Sequence, residues 1–111
     1  MKQAQVIAKH RKERQNRTAF DALLASPSTG AITLPAGARL ALRSTAGALA
    51  GATAATITSS TGRTIKTPVL AAGESMTLDH VERGAVVTPS SGFEVLLDIG
   101  LGRFEKIGEG A

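Results

Sequence analysis

Four residues within eight positions hold the side-chain types that hydrolytic chemistry uses: Ser75, Asp79, His80 and Glu82. A hydroxyl can attack, an imidazole can take its proton, and a carboxylate can orient the imidazole. Such groups act only where a fold brings three side chains to one point. On a regular strand, side chains alternate, so Asp79 and His80 are expected on opposite faces. The four then read as solvated residues near a strand end. His10 and His80 are the only histidines, there is no cysteine, and no carboxylate spacing beside either histidine suggests a ligand set. The glycines form neither GxGxxG nor a P-loop, and Gly100-Leu101-Gly102 reads as a bend. The Ser/Thr-rich run 56–64 suits a polar hairpin. No catalytic residue, cofactor site or metal site is expected, and the chain reads as a non-enzyme.

Charge gives the sharper signal. Residues 1–25 carry six basic groups against two acidic ones, a net of +4, which is the whole net charge of the chain. Residues 26–111 carry seven of each sign. The chain therefore divides into a basic N-terminal arm or helix, 1–25, and a neutral body, 26–111. Between Lys9 and Thr18 no side chain is apolar, and Lys9, Arg11, Lys12, Arg14 and Arg17 spread around a helical wheel instead of leaving one apolar stripe. These five residues are the candidate partner-binding set, aimed at an anionic surface. Only Phe20, Leu23 and Leu24 could dock the end of the arm on the body. Ser26-Pro27-Ser28-Thr29-Gly30 should stop any helix.

The body must then be built from strands. A nine-residue pattern occurs twice, Leu34-Pro35-Ala36-Gly37-Ala38-Arg39-Leu40-Ala41-Leu42 and Leu70-Ala71-Ala72-Gly73-Glu74-Ser75-Met76-Thr77-Leu78. Each reads as a strand end, a turn with glycine at its last corner, and a new strand. Gly37 and Gly73 are expected to play the same part, both with positive φ. Strands are predicted over 31–34, 38–44, 52–59, 63–67, 69–71, 75–80, 84–88 and 93–101, with a short edge at 103–107. Turns are predicted at 59–62, 82–84 and 89–92. In 93–101, Phe93, Val95, Leu97, Ile99 and Leu101 should face the core while Glu94, Leu96, Asp98 and Gly100 form a mostly wet face. The alanine- and glycine-rich stretch 46–55 fits a loop or a weak strand. Short strands at this spacing predict an all-β antiparallel sandwich or small barrel, and admit a jelly-roll-like topology.

Composition narrows the classes further. Aromatic residues are 3% of the chain and tryptophan and tyrosine are absent, so the usual surfaces for stacking sugars or bases are missing. Nucleic acid remains a partner of the arm alone. No apolar run approaches the ~18 residues of a membrane span, and an apolar signal segment is not expected. The lack of cysteine suits a reducing cytoplasm as the place of synthesis.

A basic arm, an Ala/Gly/Thr-rich body and the LPAG and LAAGES corners resemble the small decoration, or cement, proteins of tailed-bacteriophage heads. The resemblance covers the architecture of the whole chain and rests on no specific motif. It implies a compact β-fold on the outside of a capsid, often trimeric. It also implies that the major capsid protein or other virion subunits are partners, which the termini clamp together. A head–tail adaptor or a fibre-base protein is the alternative virion role. No residue assignments carry over from the family.

Overall fold

A computed structural model describes residues 19–45 and 52–111. They form an all-β structure preceded by one short helix, α1, over residues 19–25. The strands in chain order are β1 (Ser28–Thr29), β2 (Ile32–Thr33), β3 (Ala38–Ser44), β4 (Ala52–Thr53), β5 (Ala55–Thr58) and β6 (Thr64–Lys66). They continue as β7 (Val69–Leu70), β8 (Ser75–Val81), β9 (Val86–Pro89), β10 (Phe93–Gly100) and β11 (Arg103–Glu109). One sheet has the order β1-β11-β10-β3-β8, a second β2-β9-β5-β6, and β4 pairs with β7. All pairings are antiparallel except β1 with β11, and the described strands close no barrel. The expected sandwich is the fold.

The repeated pattern explains the centre of the larger sheet. The two strands that follow its corners, β3 and β8, lie side by side, with Leu40 opposite Leu78 and Leu42 opposite Met76. Antiparallel neighbours placed this way put their apolar residues on one face. Leu40 and Leu42 are fully buried, and Leu34, just after β2, and Leu70, at the end of β7, are buried too. Phe93, Val95 and Leu97 extend this face on β10, and Ile107 does so on β11. The smaller sheet answers with Ile32, Ala55, Ile57 and Val87. Each fully buried Leu, Ile, Val or Phe contributes about 1.5–3 kcal/mol, which lets a core without tryptophan or tyrosine hold the two layers together. From α1, Phe20, Leu23 and Leu24 pack against this core as expected.

The two corners themselves differ. At the second, the Glu74 amide donates to the Ala71 carbonyl, and Gly73 has φ +80°, so the chain turns through a left-handed glycine. Gly37 has no positive φ. There Leu34 does the turning work by pairing with the β8–β9 turn: its amide donates to Ala85 O, and its carbonyl accepts from Gly84 N. Pro35 fixes φ directly after it, so the first corner needs no left-handed residue.

Four further expectations are corrected. The segment 52–59 breaks at Ala54, whose amide donates to Pro68 O and whose carbonyl accepts from Ser90 N. One strand thus becomes β4 and β5 in different sheets. The expected short edge at 103–107 is a seven-residue strand inside the sheet, because Ser28–Thr29 pairs with its end in parallel. That parallel pairing also gives the helix-stopping segment a strand of its own. The outer side of β10 is not wet: Glu94 and Leu96 are both buried. Finally, Leu101 does not continue the core face, since it occupies the hairpin turn and is fully exposed, and Ile99 is 42% exposed. Residues 46–51, part of the stretch read as loop or weak strand, lie outside the described residues.

Candidate interaction surface

The five arm residues, Lys9, Arg11, Lys12, Arg14 and Arg17, and His10 lie outside the described residues. What is described is the place where the arm joins the body. After α1, the Ser26 amide still donates to Ala22 O. The chain then runs into β1, and the Gly30 amide donates to Glu109 O. Residues from 19 onward are therefore fastened to the β11 side of the larger sheet.

The outer face of that sheet carries a ladder of ions. β3 places Arg39, Ala41 and Arg43 on it, because Leu40 and Leu42 take the inner face. Arg43 donates through Nε to Glu94, and Lys106 Nζ lies 3.8 Å from the other oxygen of the same carboxylate. Glu94 can thus be buried as an ion, since two cations and a charge-assisted hydrogen bond offset its desolvation. Lys106 also donates to Glu109 at 2.7 Å. That hydrogen bond, more than any other influence, raises the Lys106 pKa above its ordinary value. At the other end Arg39 Nε meets Asp79 at 2.7 Å and its Nη1 lies 3.6 Å from Asp98. The same guanidinium sits 5.9 Å above the centre of the Phe104 ring. Leu96 lies between the two ion clusters, paired with Ala41 on one side and Lys106 on the other. Alternation in β10 alone predicts a wet face, and it misses these cross-strand neighbours.

Ser75, Asp79, His80 and Glu82 are not assembled into a catalytic group. Ser75 starts β8 opposite Arg43, five residues before His80, which along a strand is about 16 Å. Regular alternation is interrupted at Asp79 and His80: Ala38 pairs with Val81 and Leu40 with Leu78, so the two residues together oppose Arg39 in a β-bulge. His80 takes φ +54° to make it. Both residues are exposed, and both line the same cleft with Glu82.

That cleft lies between the free sides of β8 and β6. Ile57, Ile65, Leu78 and Val81 form its floor and walls, Lys66, Asp79 and Glu82 its rim, and its volume is about 120 Å³. Ile65 is half exposed although β6 is a three-residue edge strand. No helix among the described residues is long and apolar enough to cross a membrane.

The β10–β11 hairpin supplies the opposite shape. Gly100 pairs with Arg103, and Leu101 and Gly102 between them have φ +55° and +72°, the signature of a two-residue type I′ turn. Such turns favour asparagine first, because a left-handed leucine costs about 1–2 kcal/mol. Leu101 accepts that cost while leaving its whole side chain in water. The flanking Gly100 amide donates to Asp98 Oδ1 at 2.8 Å. Alternation along 93–101 placed Leu101 in the core, whereas the reading of Gly100-Leu101-Gly102 as a bend is borne out, with leucine at the apex of the turn. Compared with protein families, with curated proteins and with solved structures, the chain matches none of them.

Proposed function

We propose that the protein is a non-catalytic structural component of a virion, a decoration protein made in the host cytoplasm that binds the outside of a phage capsid. The sandwich is its docking body, and residues 1–25 reach a second, neighbouring subunit. The observation that carries this reading is the partition of charge. Five of the body's seven acids are engaged within the body: Glu94 with Arg43 and Lys106, Asp79 and Asp98 with Arg39, Glu109 with Lys106, and Glu105 with Arg103. Residues 26–111 are neutral as a whole, so the +4 of residues 1–25 has no net counter-charge in its own chain. A basic segment tethered to a self-neutral body suits a partner that supplies the anions, and two linked contacts bind with an effective concentration of about millimolar for the second. The capsid assignment comes from the family resemblance, and the major capsid protein is the partner it names.

The test is reversal of charge at Arg11 and Arg14, to glutamate, followed by co-sedimentation with empty capsids. Each partly buried charged contact contributes about 1–3 kcal/mol, so the double variant should leave the particles while its thermal transition stays in place. Retention on particles at wild-type affinity refutes the role given to the arm. Salt-dependent binding of duplex DNA by the wild type, lost in the same variant, replaces the capsid with nucleic acid as the partner.

A further inference from the structure

We propose that two copies of this chain bind each other by seating Leu101 of one copy in the cleft between β8 and β6 of the other. The two halves of such a contact are both present and chemically matched. Leu101 is an apolar knob, fully exposed, at the apex of a turn that disfavours leucine. The cleft is apolar at its floor, and its 120 Å³ is room for a branched four-carbon side chain. Neither feature is rewarded inside one chain, since the knob costs backbone strain and hydration and the cleft leaves Ile65 half exposed.

Charge fixes the orientation. The knob is followed by Arg103 and Glu105, which lie 3.8 Å apart and are both exposed. The cleft rim carries Glu82 and Asp79 along β8, with Lys66 across from them on β6. Facing copies can thus set Arg103 against Glu82 and Glu105 against Lys66, while a copy turned the other way sets like charges together. Knob and cleft also lie at the same end of the larger sheet. Arg39 connects them, reaching Asp79 on the cleft rim and Asp98 at the foot of the hairpin. From β8 to β11 is three strand spacings, about 14 Å. Two copies related by a two-fold axis can therefore exchange knobs, each filling the other's cleft, which closes the assembly instead of propagating it.

Sedimentation equilibrium of the full chain without any particle tests this, and its outcome does not depend on the capsid reading. The weight-average mass of the wild type should rise with concentration. Leu101→Asn suits the turn better and should raise the thermal midpoint by a few degrees while weakening self-association at least tenfold. Ile65→Glu, at an edge strand on the cleft side, should weaken it by as much. Arg103→Glu and Glu82→Arg should each weaken it, and the two together should restore it. A wild type that stays monomeric to about 1 mM overturns the proposal. So does an unchanged dissociation constant in both Leu101→Asn and Ile65→Glu, or a charge-swapped pair no tighter than its single variants.

Discussion

Gly108 shows how tightly the two sheets are fitted. It lies on β11, beside β1, and Ile32 of the smaller sheet packs directly over it. A Cβ at position 108 would stand 2.1 Å from Ile32 Cδ1, 3.1 Å from Ile32 Cγ1 and 3.2 Å from the Ser28 carbonyl oxygen. Its φ is not in the left-handed region, so the cost of Gly108→Ala is steric and not conformational. Cδ1 is the mobile end of isoleucine, but Ile32 is 2% exposed and close-packed neighbours leave it little room to swing. Overpacking of this kind costs about 1–3 kcal/mol. In a chain of this size that lowers the thermal midpoint by about 4–8 °C per kcal/mol. Ile32→Val removes the offending Cδ1 at a cost of about 0.5–1.5 kcal/mol on its own. If the clash is the cause, the double variant should be more stable than the sum of the singles by about 1 kcal/mol or more. Urea denaturation of the four proteins measures the cycle. Costs that add to within about 0.5 kcal/mol would mean that Ile32 and Gly108 do not press on each other, and the account of this contact would fall.

Three other outcomes are expected. Gly73→Val should cost about 1–3 kcal/mol because a β-branched residue is forced to φ +80°, while Gly37→Ala should cost less, its nearest neighbour being Val81 O at 3.6 Å; equal losses in thermal melts would show the two corners to be alike after all. Glu94→Gln should cost about 1–2 kcal/mol, the range for a charge-assisted hydrogen bond reduced because Arg43 and Lys106 are partly solvated; a denaturation midpoint equal to that of the wild type would remove Glu94 from the stability of the sheet. Deleting residues 1–17 leaves Phe20, Leu23 and Leu24 in place, so the melting curve should barely move; an unfolded product would make the basic segment part of the fold.

The fold was legible because its long strands obey one rule. In β3 the alternation of Arg39, Leu40, Ala41, Leu42 and Arg43 is realised residue for residue, buried on one side and charged on the other. The repeated pattern was legible for the same reason, and it placed the apolar residues of β3 and β8 so that they could pair. What stayed hidden depends on partners distant in sequence. Ser28 and Thr29 become a strand only because β11 lies beside them. Ala54 divides one apparent strand between two sheets only because Pro68 and Ser90 take its backbone groups. Glu94 is buried beside Arg43 of β3 and Lys106 of β11, partners that no local pattern announces.

The surface was harder to read, and for a different reason: its informative residues break rules that sequence reading assumes. Alternation assumed a regular strand through Asp79 and His80, but a bulge sets both opposite Arg39, beside the cleft. Hydrophobicity put Leu101 in the core, but a left-handed turn holds it in water. Both departures occur at one end of the larger sheet, and both involve a non-glycine residue at positive φ, His80 and Leu101. A sequence tuned only for a stable sandwich would place glycine or asparagine at such positions. The body elsewhere follows that economy, with glycine at positions 62, 73, 84 and 92, where the turns need left-handed backbone. On the self-association proposed above, a second copy and not the stability of a single chain accounts for these two exceptions. They sit at the end of the sheet where the knob and the cleft lie.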